Sequence, residues 1–302
     1  MRRRLLVSAS LLASALCAGG AVAADLPARA APPVFTPVPV FTWTGLYGGF
    51  NLGYAWSHDR VVTRALDGPD TGFTRQAIAA IGFERIGLDS GGFTGGGQVG
   101  ANYQFTPGAG LVVGVEADAQ YTDLRRRRTG SGGFVQPIGG GLTIQNDFEA
   151  EARGRLSTLG TVRGRLGYAF DRVLVYGTGG FAYGETTYGS RVDQVSTCAN
   201  CPGGPVVVDA VTTGGRRGMQ TGYAYGGGIE VALPATSVLN LFGAAAVTLK
   251  AEYLHYDLGT RTIVAAFEQI PSIGPARQTS VSRIRTEGDL ARVGLNFKFG
   301  VD

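Results

Sequence analysis

The sequence predicts an all-β protein, namely a transmembrane eight-stranded antiparallel up-and-down β-barrel. Segments of about 11 residues alternate apolar and polar side chains, as strands with one oily and one polar face do. The apolar faces carry aromatic residues at their ends and small residues between them, which is typical of strands that cross a bilayer. The number of such segments is even, and long and shorter connections alternate between them, as in outer-membrane barrels.

Composition agrees with a chain that folds. Of 302 residues, 44% are hydrophobic and only 17% are charged, which excludes a disordered polyelectrolyte. The 49 glycines are about twice an average share. Many of them fall inside the alternating segments, where a small residue eases bending and close packing.

Residues 1–23 are predicted to be a signal peptide. Arg2, Arg3 and Arg4 precede an apolar stretch, and Ala21-Val22-Ala23 offers the small residues of a cleavage site. A lipoprotein signal is disfavoured because Leu16, rather than a small residue, precedes Cys17. Without the three arginines, the 27 basic residues become 24 against 23 acidic ones, so no overall basic charge supports a nucleic-acid partner.

Residues 24–42 are expected to form an extended periplasmic leader because they contain five prolines. The barrel domain is then predicted over residues 43–302. Its first strand sends Leu46, Phe50 and Trp56 to one face, and residues 57–90 are predicted to be a long polar connection. Residues 91–121 form the second and third strands, a hairpin that turns at residues 106–110.

Five further strands follow, predicted at residues 156–170, 173–183, 221–233, 247–257 and 290–299. Long connections are expected at residues 123–154, 185–220 and 258–288, and Asp171-Arg172 makes a short turn. The outward apolar residues of these strands are Val162, Leu166, Tyr168, Val173, Val175, Phe181, Tyr183, Tyr223, Tyr225, Ile229, Val231, Leu249, Ala251, Tyr253, Val293, Leu295, Phe297 and Phe299. A strand of about 11 residues, tilted near 40°, covers on the order of 28 Å, enough for the apolar band. An even strand count places both termini on one side, predicted to be the periplasm, with the long connections outside.

Five ordered blocks resemble a known family: WTGLYGGFNLGYAW, GGFTGGGQVGANYQF, GVEADAQ, GTVRGRLGYAFDRVLVYGTGGFAYG and LKAEYLHYDLG. They are similar to the small outer-membrane immunogenic, porin-like β-barrel proteins of alphaproteobacteria. The resemblance covers most of residues 43–299 and implies an eight-stranded barrel at the bacterial surface. It also implies the barrel-assembly machinery as a partner, although Gly300-Val301-Asp302 follows Phe299 where members usually end on an aromatic residue. Residues 234–246 are longer than the tight turn usual there, and their apolar part is expected to extend a strand or form an interfacial lip.

The inward positions carry charges of both signs. We expect Glu116 and Asp118 to pair with Arg163 and Arg165 because unpaired charges would be costly in a narrow lumen. Two further pairs are expected, Glu230 with Lys250 and Glu252 with Arg292, and Lys298 is the remaining inward base. An eight-stranded barrel is about filled by side chains, which favours a polar plug over an ion pathway.

The basic run of Arg125, Arg126, Arg127 and Arg128 lies just beyond Tyr121, at the predicted external rim. Arginine suits phosphate, so the run is a candidate contact for lipopolysaccharide. The alternative is a solvated run of loop charges. A substitution of all four by Gln, read out as polymyxin sensitivity, separates the two interpretations.

Without Cys17, the cysteines are Cys198 and Cys201, in an oxidising compartment. We expect a small-loop disulfide because the pair supplies only two of the four ligands that a structural zinc ion needs. The histidines are His58 and His255, and the sequence shows no Ser-His-Asp pattern or phosphate loop, so we expect neither an enzyme nor a cofactor. A haem-binding role is known for some barrels of this kind; Tyr188 and the histidines could be ligands, but their spacing does not select haem.

These observations favour a structural outer-membrane protein that supports envelope integrity and presents surface loops. A narrow diffusion porin is one alternative, and a surface ligand-binding protein is another.

Overall fold

The computed structural model describes residues 40–66, 71–234, 239–240, 244–268 and 277–299. The predicted signal peptide, residues 24–39 of the leader and the 300–302 tail lie outside the described residues. Of the 234–246 segment, only residues 234, 239–240 and 244–246 are described.

The predicted fold is confirmed: eight antiparallel strands form a closed ring in which each strand pairs with the next and β8 pairs with β1. The elements in chain order are β1 Gly45–Ala65, α1 Thr71–Ala80, β2 Arg85–Gln104, β3 Ala109–Gly139, β4 Leu142–Phe170, β5 Val173–Cys198, β6 Val206–Ala232, β7 Ala246–Glu268 and β8 Arg277–Phe299. We call the end with the β2–β3 and β4–β5 turns the turn end, and the opposite end the hairpin end. No helix among the described residues is long and apolar enough to span a membrane.

The bilayer-facing band is the outer surface of the strand segments that lie nearest the turn end. Exposed apolar side chains cover it on every strand, with Val115 61% and Leu166 59% exposed. Glycines on the inner face let adjacent strands approach closely. A Cβ atom at Gly226 would lie 2.0 Å from the carbonyl oxygen of Tyr253, so no larger residue fits there without a backbone shift.

Phe297 is an exception to the predicted outward set, because it is only 5% exposed. It packs against Ala244 and Val247, with Leu233 at the edge of the same cluster. Leu233 and Ala244, on either side of this connection, therefore cover this part of the outer face at the turn end. The prediction that Phe297 faces lipid was wrong because the strand alternation does not reveal such a cover.

The strands run 20 to 31 residues, far beyond the predicted lengths. The predicted long connections at residues 123–154, 185–220 and 258–288 are largely strand, and residues 57–90 hold the end of β1, α1 and the start of β2. Along these extensions apolar and polar side chains still alternate between the two faces of the strand, but the apolar side chains now face inward and the polar ones outward. Apolar residues such as Val61 now face inward, while Arg60 faces outward. The predicted connections were wrong because a polar outer face resembles a loop in the sequence.

At the hairpin end the ring divides into two sheets. Pairing of β2 with β3 stops at Thr94–Thr122, and pairing of β6 with β7 stops at Tyr223–Asp257, although the described strands continue beyond both points. Lobe A consists of the continuing parts of β7, β8, β1 and β2. Lobe B consists of the continuing parts of β3, β4, β5 and β6.

Helix α1 connects the two lobes. It leaves β1 of lobe A, and its Phe73 ring lies 5.1 Å from Phe134 and 6.0 Å from Phe148 of lobe B. Ala77 and Ile78 on the helix face the apolar core between the lobes. Through these contacts α1 packs against both lobes.

Candidate functional site

The candidate site is the lumen, which is filled by a network of buried charged side chains. Strands β3 and β7 lie four places apart in the eight-strand ring and so face each other across the barrel. Lys250 on β7 donates to both carboxylate oxygens of Glu116 on β3, at 2.9 and 3.0 Å. This contact spans the full diameter of the lumen.

Glu116 is the most connected carboxylate of the network. Besides Lys250, it accepts hydrogen bonds from Arg163 at 2.7 Å and from the Tyr47 hydroxyl at 2.8 Å. Arg292 lies 3.4 Å away. All of these side chains are buried, so water screens the attraction little.

Two further carboxylates, Asp118 and Glu252, are each shared between arginines from opposite walls. Asp118 accepts from Arg163 at 2.9 Å and from Arg292 at 3.1 Å. Glu252 accepts from Arg292 at 2.7 Å and from Arg163 at 3.1 Å. With Glu116 included, each of these planar guanidinium groups contacts three carboxylates, which one ammonium group does less readily.

The predicted pairing of Glu230 with Lys250 is not formed. The two residues are cross-strand neighbours, but Lys250 extends across the lumen to Glu116. Glu230 instead binds Arg165, the Thr248 hydroxyl and the Asn296 amide. Register alone predicted the nearest partner, whereas a long side chain reaches the opposite wall.

The turn end of the lumen is closed by Trp43, which precedes β1. Its indole is 2% exposed and donates to the carbonyl of Asp171 at 3.0 Å. Lys298 lies at the same end, with its ammonium 5.1 Å from the Phe41 ring and bonded to the Thr42 carbonyl. The sequence did not indicate this role of Trp43.

Two further layers of buried side chains lie between the charge network and the hairpin end. The first is apolar and includes Leu124, Leu156 and Leu290, each fully buried. The second is polar and centres on Asp59, which binds Arg126 and accepts from the Tyr188 hydroxyl at 2.8 Å. Burial raises the pKa of Asp59 to about 6, although Arg126 and Tyr188 oppose the rise.

The arginine run at residues 125–128 is part of β3 rather than of a loop, so its side chains alternate. Arg125 and Arg127 point outward, beside Asp123 at 2.8 Å and Glu151 at 2.7 Å. Arg126 points inward and its side chain has no exposed surface, so the prediction that it contacts lipopolysaccharide was wrong. Arg128 is exposed.

A denser basic patch, which the sequence did not reveal, lies on the outer face of lobe A. It comprises Arg60, Arg64, Arg85, Arg283 and Arg285. Arg60 pairs in register with Arg285, and Val62 pairs with both Arg85 and Arg283. These residues are up to 225 positions apart in the sequence, so only the strand pairing brings them together.

The structure joins Cys198 and Cys201 in a disulfide at the tip of the β5–β6 hairpin. The candidate haem ligand Tyr188 lies apart from the two histidines. The Tyr188 hydroxyl faces inward and bonds to Asp59 and Thr286, whereas His58 and His255 lie on the outer face beside Asp289, at 3.5 and 3.0 Å. No group of three or more His, Cys, Asp or Glu residues in the described ranges could hold a metal ion.

Comparisons with known proteins agree with this architecture. The outer membrane protein beta-barrel domain family matches residues 9–299. The 31 kDa outer-membrane immunogenic protein of Brucella melitensis biotype 1 is 31% identical over 288 residues, covering 95% of this chain and 96% of that protein. The 25 kDa outer-membrane immunogenic protein of Brucella abortus biovar 1 is 26% identical over 199 residues, covering 65% of this chain and 70% of that protein.

Among solved structures, the outer membrane protein OprG of Pseudomonas aeruginosa covers 84% of this chain and 97% of its own, at 11% identity and a TM-score of 0.30. That likeness is too distant to support a functional argument. The family match and the Brucella relatives decide the assignment. The chain belongs to the outer membrane protein β-barrel family, in the alphaproteobacterial group of outer-membrane immunogenic proteins.

Proposed function

We propose that this protein is a non-enzymatic structural barrel that supports the outer membrane and presents its two lobes at the cell surface, with a lumen closed to ions. The contact of Lys250 with Glu116 across the barrel carries this proposal. An ion passing through the lumen would have to separate these charges. Removing one partner of such a buried pair costs about 3–5 kcal/mol.

The other layers support closure. Trp43 fills the turn end, and the layer around Leu124 and Leu290 consists of leucine and alanine side chains together with Tyr256. An ion entering an apolar constriction loses its hydration without compensation. The polar-plug interpretation is therefore preferred over a diffusion porin.

Conductance in planar bilayers tests closure. The purified, refolded protein is expected to give no conductance steps under an applied voltage, with a known porin as positive control in the same bilayers. Regular single-channel steps from the wild-type protein would contradict the proposal. A strain that lacks the protein is expected to be more sensitive to detergent, and re-expression of the wild-type chain should reverse this sensitivity.

We also propose that the hairpin end faces outward and that both termini lie in the periplasm. The disulfide at the β5–β6 tip and the polar outer faces of the lobes support this orientation. An epitope tag inserted at the glycine turn of residues 139–141 should bind antibody on intact cells. The same tag in the Asp171 turn should bind only after permeabilisation; the reverse pattern would invert the orientation.

Lipopolysaccharide is the proposed partner of the basic patch on lobe A and of Arg125 and Arg127. Arg60, Arg64 and Arg283 line one shallow groove above the bilayer-facing band, where lipid phosphates would lie. A triple Arg→Gln variant of these three residues is expected to increase polymyxin sensitivity. The control variant changes Arg153, Arg191 and Arg217, which lie beside Glu151, Asp193 and Glu185. Equal sensitivity of both variants would contradict a phosphate site on lobe A.

A further inference from the structure

A cavity of about 100 Å³ lies between the two lobes, beyond the bilayer-facing band. Its walls are mainly apolar and come from both sides of the structure. Val61, Ile86, Ile263 and Ile284 contribute from lobe A, and Val192 contributes from lobe B. Ile81 and Phe83 close it next to α1.

The cavity is separate from the charged lumen. Its floor is Tyr188, whose hydroxyl is held by Asp59 at 2.8 Å and by Thr286 at 2.6 Å. The apolar layer around Leu124 and Leu290 lies below these residues. A molecule in the cavity therefore meets hydrocarbon walls rather than the ion pairs of the lumen.

The cavity reaches the cleft where β6 and β7 no longer pair. Thr212 on β6 and Ala265 on β7 both line it, so the cleft forms one of its sides. Nearer the turn end of this cleft, the Arg261 guanidinium donates to the carbonyl of Met219 at 2.6 Å. Beside the cavity, Ala265 also packs closely against Gly214 of β6. In this cleft the two strands are therefore joined by side-chain contacts rather than by a continuous strand ladder.

We propose that this cavity binds a small apolar molecule of the size of a single aromatic ring or a short branched hydrocarbon. Its volume is of the same order as that of an engineered apolar cavity of about 150 Å³ that stays dry and binds benzene. Water gains little there, because a buried water needs about three polar partners and most of the wall is apolar. Of the hydroxyl groups that also line the cavity, those of Thr63 and Ser282 bind each other at 3.0 Å and that of Tyr188 binds Thr286. An apolar molecule restores the dispersion contacts that the facing walls lack. This ligand site goes beyond the structural role and does not depend on it.

The test uses trifluoromethylbenzene as probe, with ¹⁹F NMR of the full barrel in lipid nanodiscs and empty nanodiscs as reference. The wild-type protein should give a saturable bound signal distinct from the lipid-dissolved probe. Ala265→Phe fills the cavity and should weaken binding at least about tenfold. Val264→Phe, on the opposite face of the same strand and 58% exposed, should leave binding within about twofold.

A wild-type spectrum that equals that of empty nanodiscs would overturn the proposal, as would undiminished binding to a folded Ala265→Phe variant. Folding is checked by heat-dependent gel mobility, and Ala152→Phe serves as a second filling variant. A spin label at Val264→Cys provides a measurement that needs no filling variant. It should broaden the bound signal more than a label at Val115→Cys in the bilayer-facing band, and the opposite order would place the probe elsewhere.

Discussion

The pair of Lys250 and Glu116 gives the sharpest prediction about what holds the barrel together. Lys250→Met keeps the length of the side chain but removes its charge and its two hydrogen bonds to the carboxylate. Four carboxylates and four cations fill the centre of the lumen, so the variant leaves one negative charge in excess. The lumen carboxylates are Glu116, Asp118, Glu230 and Glu252, and the cations are Arg163, Arg165, Lys250 and Arg292.

The expected loss of unfolding free energy is about 3–5 kcal/mol, because a buried charge loses a partner where water cannot replace it. Glu116→Gln should cost a similar amount, since three cationic groups lie within 3.4 Å of this carboxylate. The double variant restores neutrality, so its cost should fall below the sum of the two single costs by about 2 kcal/mol.

Urea unfolding of the barrel in lipid vesicles, followed by gel mobility and tryptophan fluorescence, measures these differences. Glu185→Gln is the matched control, because its partner Arg217 is 71% exposed and a surface pair contributes only about 0–1 kcal/mol. Additive single costs, or a Lys250→Met variant as stable as the control, would refute the view that the network is a coupled plug.

Three other perturbations follow from the same geometry. Burial raises the pKa of Asp59 to about 6 from an ordinary 3.8. The folded protein therefore keeps this carboxyl protonated at pH values at which the unfolded chain has already lost the proton. The free energy of unfolding should consequently fall as the pH rises from about 4 to 6. Asp59→Asn should remove this slope in denaturant titrations; an unchanged slope would contradict the assignment. Gly226→Ala should reduce the yield of folded, heat-modifiable barrel, whereas Gly177→Ala, where a Cβ meets nothing closer than 3.9 Å, should not; equal yields would contradict the close-approach argument. Trp43→Ala should lower the unfolding free energy by about 3–5 kcal/mol and leave bilayer conductance at zero, since the charge network remains; new channel steps would show that Trp43 alone seals the lumen.

The bilayer-spanning part of the barrel could be predicted from the sequence because one rule holds over most of it: outward residues are apolar, and inward residues are polar or small. Glu116, Arg163 and Glu252 were therefore placed inside from parity alone, and the structure locates them there. Their partners were less accessible. Strand register identifies neighbours, whereas Lys250 and Arg165 reach across several strands.

The structure of the hairpin end could not be predicted from the sequence in the same way. Above Trp56 the rule inverts, because water replaces lipid outside and an apolar core replaces the polar lumen inside. Val61 and Ile284 then stand among arginines that resemble loop residues in the sequence. The division into lobes depends on where pairing stops at Thr94 and Tyr223, and no local pattern marks those points.

The extension of the strands beyond the bilayer also affects how antibodies would recognise the protein. Arg60 and Arg285 are neighbours on the outer face of lobe A, although they are 225 positions apart in the chain. Epitopes on such a surface are assembled from several chain segments, and consecutive residues of one segment point to opposite sides of the sheet. Serum raised against the folded barrel is therefore expected to bind short synthetic peptides poorly, and denaturation should abolish most of its reactivity.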